Sequence, residues 1–275
     1  NFGDDERGEP TVDLGLGRHN RPNGLNEDRG EDYTITWNNI LSYDKTLGED
    51  HLVNALIGTE FINNQSSSIN ASRRRFEYTL DRFQYMDLGG TSQDLWNGGF
   101  ANEWALFSIF SSATYSYKNR YSVTGNLRAD ASSRFGSDNK WGYFPSVAVG
   151  WTVSNEGFFP SSSMMNYLKI RASTGRLGNQ NIPNYAYLSL FSREGNITRY
   201  GNPQLRWEST LQNNLGVDMR FLNNKLEVIA DIFHKKTKDI LLAVSLPTFI
   251  GNVDATYVNA GQVDNKGFEL SAKYR

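Results

Sequence analysis

The residues able to do chemistry are few and badly placed for it. The three histidines, His19, His51 and His234, lie far apart and lack metal-ligand spacing. Cysteine is absent, which removes disulfide frameworks and cysteine metal sites. No GxSxG, Walker A or HExxH pattern occurs. With 30 carboxylates in the chain, chance pairs are plentiful, so no glycosidase dyad can be argued. The acidic stretch GLNEDRGED, residues 24–32, could attract calcium, but it lacks EF-hand spacing and reads as a solvated loop. The chain is therefore expected to be no enzyme, with no catalytic residue, metal ligand or cofactor.

Two other patterns suggest binding. W-NGGF-ANEW places Trp96, Phe100 and Trp104 in one apparent loop, where aromatic rings could stack on a sugar, on a partner protein or on the loop itself. Charged residues also recur in alternation: Arg128 with Asp130, Lys169 with Arg171, Asp218 with Arg220, and Glu227 with Asp231.

That alternation belongs to the elements that carry it. In RYSVTGNLRAD, residues 120–130, Tyr121, Val123, Gly125, Leu127 and Ala129 alternate with Ser122, Thr124, Asn126, Arg128 and Asp130. A period of two predicts a strand with one apolar and one wet face. ITWNNILSY, HLVNALIGTEF, WALFSIFSSATYSY, FPSVAVGWTV, NYLKIRAS, TLQNNLGVDMRF, KLEVIADI and GFELSAKY repeat the pattern, with Ile229 breaking the wet face of one of them. TVDLGLG near the start reads as a further short strand. The count is about ten strands, with no competing helical period and no repeat of 20–50 residues.

The connections sort themselves. Lys118-Asn119-Arg120, Asn223-Asn224 and 44–50 are tight, and 154–166 is of medium length. The stretches 18–32, 63–103, 132–143, 177–204 and 239–261 read as long polar loops. Numbered in order, tight turns fall at one end of the strands and long loops at the other, the arrangement of an outer-membrane barrel. Tyr43, Tyr117, Tyr121, Trp151, Tyr167, Phe221 and Tyr274 gather near the tight end, where those on the apolar face would form an interfacial girdle. Phe135, Trp141, Tyr143 and Phe144 are read as anchoring a loop at the other rim. Arg128, Asp130, Lys169, Arg171, Asp218 and Arg220 would be expensive in a dry core and cheap along a wet lumen. A soluble sandwich could instead turn this face to solvent.

The totals agree. A formal charge of −2 in 275 residues gives no reason to expect nucleic acid. The longest apolar run, Ile240 to Val244, is five residues against the roughly 20 of a membrane helix, so a bilayer would be crossed by strands. No signal peptide is read, and alternation continues to the last residues, so the sequence reads as a slice of a longer protein.

YSYKNRYSVTGNLRADASSRFG, WGYFPSVAVGWTVSNEGFF and LKIRASTGRLGNQNI, followed by NPQLRWESTLQNNLGVDMRFLNNKLEVIADIFHKKTKDILL and VNAGQVDNKGFELSAKYR, resemble the barrel of SusC/RagA-type TonB-dependent outer-membrane transporters of the Bacteroidetes. The resemblance is close over 105–275 and looser over 1–104. It implies an all-β antiparallel transmembrane barrel, of which residues 1–275 would be about ten strands out of roughly 22. It implies a lumenal plug, a TonB-contacting segment and C-terminal strands outside this stretch. It further implies a SusD-type surface lipoprotein as partner, contact with outer-membrane lipid, and import of glycans or oligopeptides. Asn-x-Ser/Thr at Asn64, Asn70 and Asn196 is disregarded in such a protein. The alternatives are a siderophore or cobalamin receptor of the same barrel class, and a soluble carbohydrate-binding β-sandwich. Neither cargo nor oligomeric state is legible.

Overall fold

The computed structural model describes residues 3–9, 24–76, 85–90, 95–160, 164–247, 249, 251 and 253–275. The TVDLGLG stretch and His19 lie outside the described residues. The strands are β1 (Gly3–Glu9), β2 (Gly24–Leu47), β3 (His51–Arg74), β4 (Leu95–Tyr117), β5 (Tyr121–Ser132), β6 (Trp141–Thr152), β7 (Met165–Asn179), β8 (Leu190–Phe191), β9 (Ile197–Arg199), β10 (Glu208–Phe221), β11 (Leu226–Lys238), β12 (Leu241–Val244), β13 (Thr256–Asn259) and β14 (Gln262–Tyr274). Two compact units share them, one made of 1–35 and 63–104, the other of 36–62 and 105–275.

The second unit is built on one large sheet of order β2-β3-β4-β5-β6-β7-β10-β11-β14, with the two-stranded sheets β8-β9 and β12-β13 in its connections. One sheet without a facing layer excludes the sandwich alternative. Register runs straight across it: Val123 lies between Tyr115 and Val149, and Val217 between Ile170 and Ala230. Apolar side chains thus form continuous rows on one face, and those rows are exposed: Val147 and Val149 at 46%, Trp151 at 37%, Phe268 at 80%. Contiguous apolar patches of such extent are rare on soluble monomers. The opposite face carries the polar side chains and bonds them across strands, as in Thr114 with Thr124 (3.0 Å) and Asn126 with Ser146 (3.0 Å). Apolar exceptions on that face have a local cause. Phe233 lies over Gly267, where an added Cβ would sit 2.7 Å from the ring, so the aromatic covers a strand position that has no side chain.

β5 and β6 are 12 residues long and β7 is 15, somewhat more than the roughly 9–11 that cross a bilayer. The portions of β2, β3 and β4 in this unit match them. The same three strands then continue as 24–35, 63–74 and 95–104 and, with β1, make the first unit. There β1 pairs with β2 from Gly3↔Gly30 to Glu9↔Gly24. This corrects the expected loops at 18–32 and 63–103: residues 24–32, 63–74 and 95–103 are strand. Their cross-strand neighbours are polar, with Asn64 Nδ2 donating to Asp32 (3.1 Å) and Thr34 (2.9 Å), and Asn63 to Glu103 (2.9 Å). Polar residues on both faces erase the apolar alternation by which the strands were sought.

The tight turns are as expected. Lys118 and Asn119 both take positive φ (55° and 51°), and Arg120 N donates to Tyr117 O (2.9 Å), a hairpin turn whose twist matches its strands. Leu222, Asn223 and Asn224 do the same between β10 and β11. At this rim Tyr121 stacks on Trp151 with ring centroids 6.4 Å apart. Glu156, in the β6–β7 connection, accepts from Tyr121 (2.5 Å), Trp151 Nε1 (3.1 Å) and Arg120 (3.2 Å). These bonds, the Tyr121 hydroxyl first, hold its carboxyl below the usual carboxylate range.

The buried apolar cluster of the described residues lies in the connections at the other rim. Phe135, Ile182, Ala186 and Leu205 pack together, with Trp207, Leu241 and Tyr257 against them. Phe144 meets Trp207 edge-on at 5.3 Å, so Phe135 and Phe144 do anchor this rim. Trp141 and Tyr143 instead sit on the exposed apolar face, Trp141 edge-on to Phe107 at 6.3 Å.

Val147→Arg, mid-strand on the lipid face, is expected to destabilise the full barrel by about 2–4 kcal/mol, and Asn126→Arg on the polar face by much less, measured by unfolding in lipid. The Glu156 contribution should be complete above the carboxyl's ordinary value of 4.5 and disappear as pH falls through its lower folded value. Glu156→Gln should flatten that acid limb of the stability profile.

Candidate functional site: the polar face of the wall

Each ion cluster on the polar face is built across neighbouring strands. On β5, Arg128 donates through Nε to Asp130 (2.7 Å) and through Nη2 to Glu60 of β3 (2.8 Å) and Ser108 of β4 (2.8 Å). Its guanidinium also lies 5.6 Å from the centre of the Phe110 ring. Asp130 is 7% exposed and Ser108 fully buried, so the cluster is fixed from beneath. Arg128 and Asp130 are two residues apart, hence on one face, and β4 supplies the serine because Ser108 pairs with Asp130.

A second arginine is held in the same way two strands along. Arg171 of β7 reaches Asp218 on β10 (3.1 Å) and Asp231 on β11 (2.7 Å). The strand between them is crossed at Gly216, which pairs with Arg171 on one side and Asp231 on the other. A Cβ there would lie 2.6 Å from Arg171 Cζ, so the close approach needs glycine. Lys169 pairs with Asp218 in register, and its Cε passes 3.1 Å from where a Cβ of Gly150 would be. Arg220 bonds Glu227 (3.4 Å) and lies 4.9 Å from the Tyr167 ring centre. In both main clusters one guanidinium serves two carboxylates. Such groups position and repel; nothing about them resembles a nucleophile with its base.

The structure therefore brings together Arg128 with Asp130, and Arg171 with Asp218, and keeps the two groups separate. Glu60 and Ser108 were not picked out in advance, although Glu60 stands on the wet side of HLVNALIGTEF. Trp96, Phe100 and Trp104 are not in a loop; they lie on β4, four residues apart and so on one face of the strand. Trp96 is 58% and Phe100 63% exposed. The Trp96 ring lies 3.3 Å from where a Cβ of Gly98 would be, flat along its own strand. His51 Nδ1 meets Tyr115 Oη at 2.6 Å near the tight-turn rim, and His234 pairs with Asp264 at 2.5 Å.

A lone sheet with one lipid face, one charged face, tight turns at one rim and long packed connections at the other defines the wall of an outer-membrane β-barrel. The comparisons with known proteins agree: residues 3–275 match the family described as TonB dependent receptor-like, beta-barrel, and the chain belongs to that family. It is 33% identical over 253 residues to TonB-dependent receptor P39 of Formosa agariphila, covering 87% of this chain and 24% of that protein. It is 30% identical over 254 residues to TonB-dependent receptor SusC of Bacteroides thetaiotaomicron, with 87% and 24% covered. Among solved structures, the RagAB peptide importer in its closed-closed state superposes with a TM-score of 0.84 at 30% identity, covering 92% of this chain and 28% of that one. The hemophore receptor HasR of Serratia marcescens, at 16% identity and a TM-score of 0.55, shares the fold alone. The SusC/RagA-type resemblance and the outer-membrane location read from the sequence are borne out. The chain spans about a quarter of the length of these relatives.

If the shared guanidinium is the unit, a double-mutant cycle on Arg171 and Asp218 should give a coupling of about 1–2 kcal/mol. The exposed Arg206–Asp239 pair should give under about 1 kcal/mol. Equal couplings for the two pairs would mean the polar face is no better ordered than open surface.

Proposed function

We propose that the full protein imports glycans or oligopeptides across the outer membrane, energised through TonB and working with a SusD-type surface lipoprotein. The observation that carries this reading is the 30% identity and 0.84 TM-score to the RagAB peptide importer over nearly the whole chain, together with the identity to SusC. In this reading residues 1–275 are a barrel segment. A plug, a TonB-contacting segment and further strands come from the rest of the full protein. The polar face carrying Arg128, Asp130, Lys169, Arg171, Asp218 and Arg220 lines the lumen. The chemistry is passive: charged groups held by two partners keep the wall rigid and wet while a plug moves past it. The row Trp96, Phe100, Trp104, of which Trp96 and Phe100 are exposed, contacts the cargo or the surface lipoprotein. The siderophore or cobalamin receptor remains the runner-up, supported by fold alone.

The test is co-purification of the full-length protein from outer membranes, followed by uptake of labelled oligosaccharides and peptides with and without an inner-membrane proton gradient. A stoichiometric lipoprotein and gradient-dependent uptake are expected; a lone receptor that accumulates iron chelates would reverse the reading. Trp96→Ala should reduce uptake or lipoprotein retention several-fold, and unchanged values of both would remove the aromatic row from recognition.

A further inference from the structure

The packed connections at the long-loop rim hold a charge that the wall does not use. Arg199, at the end of β9, is 9% exposed, and its Nε is buried without a hydrogen-bond partner. Among the described residues its guanidinium makes one bond, from Nη2 to the carbonyl of Asn184 (3.2 Å), and no ion pair. The same residue is held from the other side: Arg134 Nε donates to Asn184 Oδ1 (2.8 Å) and Arg134 Nη1 to the Gln180 carbonyl (3.3 Å). Gln180 Oε1 is likewise buried and unpartnered. Two guanidiniums thus converge on one asparagine, between loop segments already fixed by Phe135, Ile182 and Ala186.

Burying a cation without a counter-charge, as at Arg199, is among the costlier arrangements a protein adopts. Asp254, joined to Arg199 by a backbone bridge, is exposed and forms no ion pair with it. The unused Nε and a neighbouring Nη present the two-pronged edge that matches a carboxylate. Arg134, Gln180 and Asn184 beside it are half-buried. We propose that Arg199, with Arg134 and Asn184, is a carboxylate-binding site in the loop cluster, which takes an acidic group of the cargo. The word cargo rests on the importer reading; the site itself does not.

The experiment uses the full-length protein with whatever lipoprotein accompanies it, in detergent. Intrinsic fluorescence is followed, since Trp207 packs on the same cluster. Sodium glucuronate and N-acetyl-diglycine are titrated against glucose at equal ionic strength. Saturable binding of either carboxylate, absent with glucose, is expected. Response to glucuronate alone identifies an acidic sugar as the source, and response to both identifies the carboxylate irrespective of scaffold. Arg199→Gln should weaken binding about tenfold or more. Arg199→Lys, which keeps the charge and removes Nε, should fold and bind with intermediate strength. The proposal is overturned by no saturable response to either carboxylate, or by equal binding in wild type and Arg199→Lys. It is also overturned if Asp254→Asn lowers the melting temperature as much as Arg199→Gln with no additivity between them, because Asp254 is then the partner. Each of these readouts is independent of uptake, so failure here leaves the importer reading standing.

Discussion

Every peptide group that crosses a bilayer must find its hydrogen bond inside the protein, because the hydrocarbon offers none. The wall obeys this through nine strands paired side by side, with a register shift at Arg220/Phe221, and the rest of its design follows. A ladder that satisfies the backbone forces side chains to alternate between faces. One face then meets lipid and must be apolar, and the other is left to polar groups. The apolar rows from Tyr115 through Val123 and Val149 cost nothing in lipid and would be untenable in water. The polar rows are tied strand to strand by threonine, asparagine and serine pairs, so neither face is loose.

The same alternation was readable in the sequence wherever one face was apolar. The apolar-faced parts of β2 to β7, with β10, β11 and β14, stood out because apolar residues marked every second position; β12 and β13 lie inside the stretch 239–261 that reads as a loop. The tight turns were legible too, since Asn119, Asn223 and Asn224 tolerate positive φ. The strand extensions at 24–35, 63–74 and 95–104 were not, because Asn63, Asn64, Gln65 and Glu103 make both faces polar and leave no period to detect. For that reason the sequence pattern reads Trp96, Phe100 and Trp104 as a loop, where the structure has β4. Their common spacing of four was visible, yet its meaning depended on knowing that the segment was a strand. The ion clusters were half legible. Arg128 and Asp130 share a strand, but Glu60 and Ser108 are long-range partners that one sequence cannot pair with them.

Charge on the polar face is arranged by sharing. Arg128 stands among Glu60, Asp130 and Ser108, and Arg171 between Asp218 and Asp231 across Gly216. A guanidinium that bonds two carboxylates through Nε and Nη2 ties three strands to one another without an apolar core. A barrel wall has no interior of its own to pack, so this cross-strand bonding takes over the ordering that buried leucines supply in a soluble domain. The small apolar cluster around Phe135 and Leu205 occurs only where the chain leaves the ladder.

That cluster also governs how this protein can diverge. Connections that hang free may lengthen or shorten one at a time, but here three of them meet at Phe135, Ile182, Leu205, Leu241 and Tyr257. Those residues act as posts, and the spans strung between them are the parts whose length can change without disturbing the packing. The hairpin of β8 and β9 is such a span, anchored before it by Ala186 and after it by Leu205. New ligand preferences can therefore evolve in short interchangeable inserts while the rim that carries them keeps its shape.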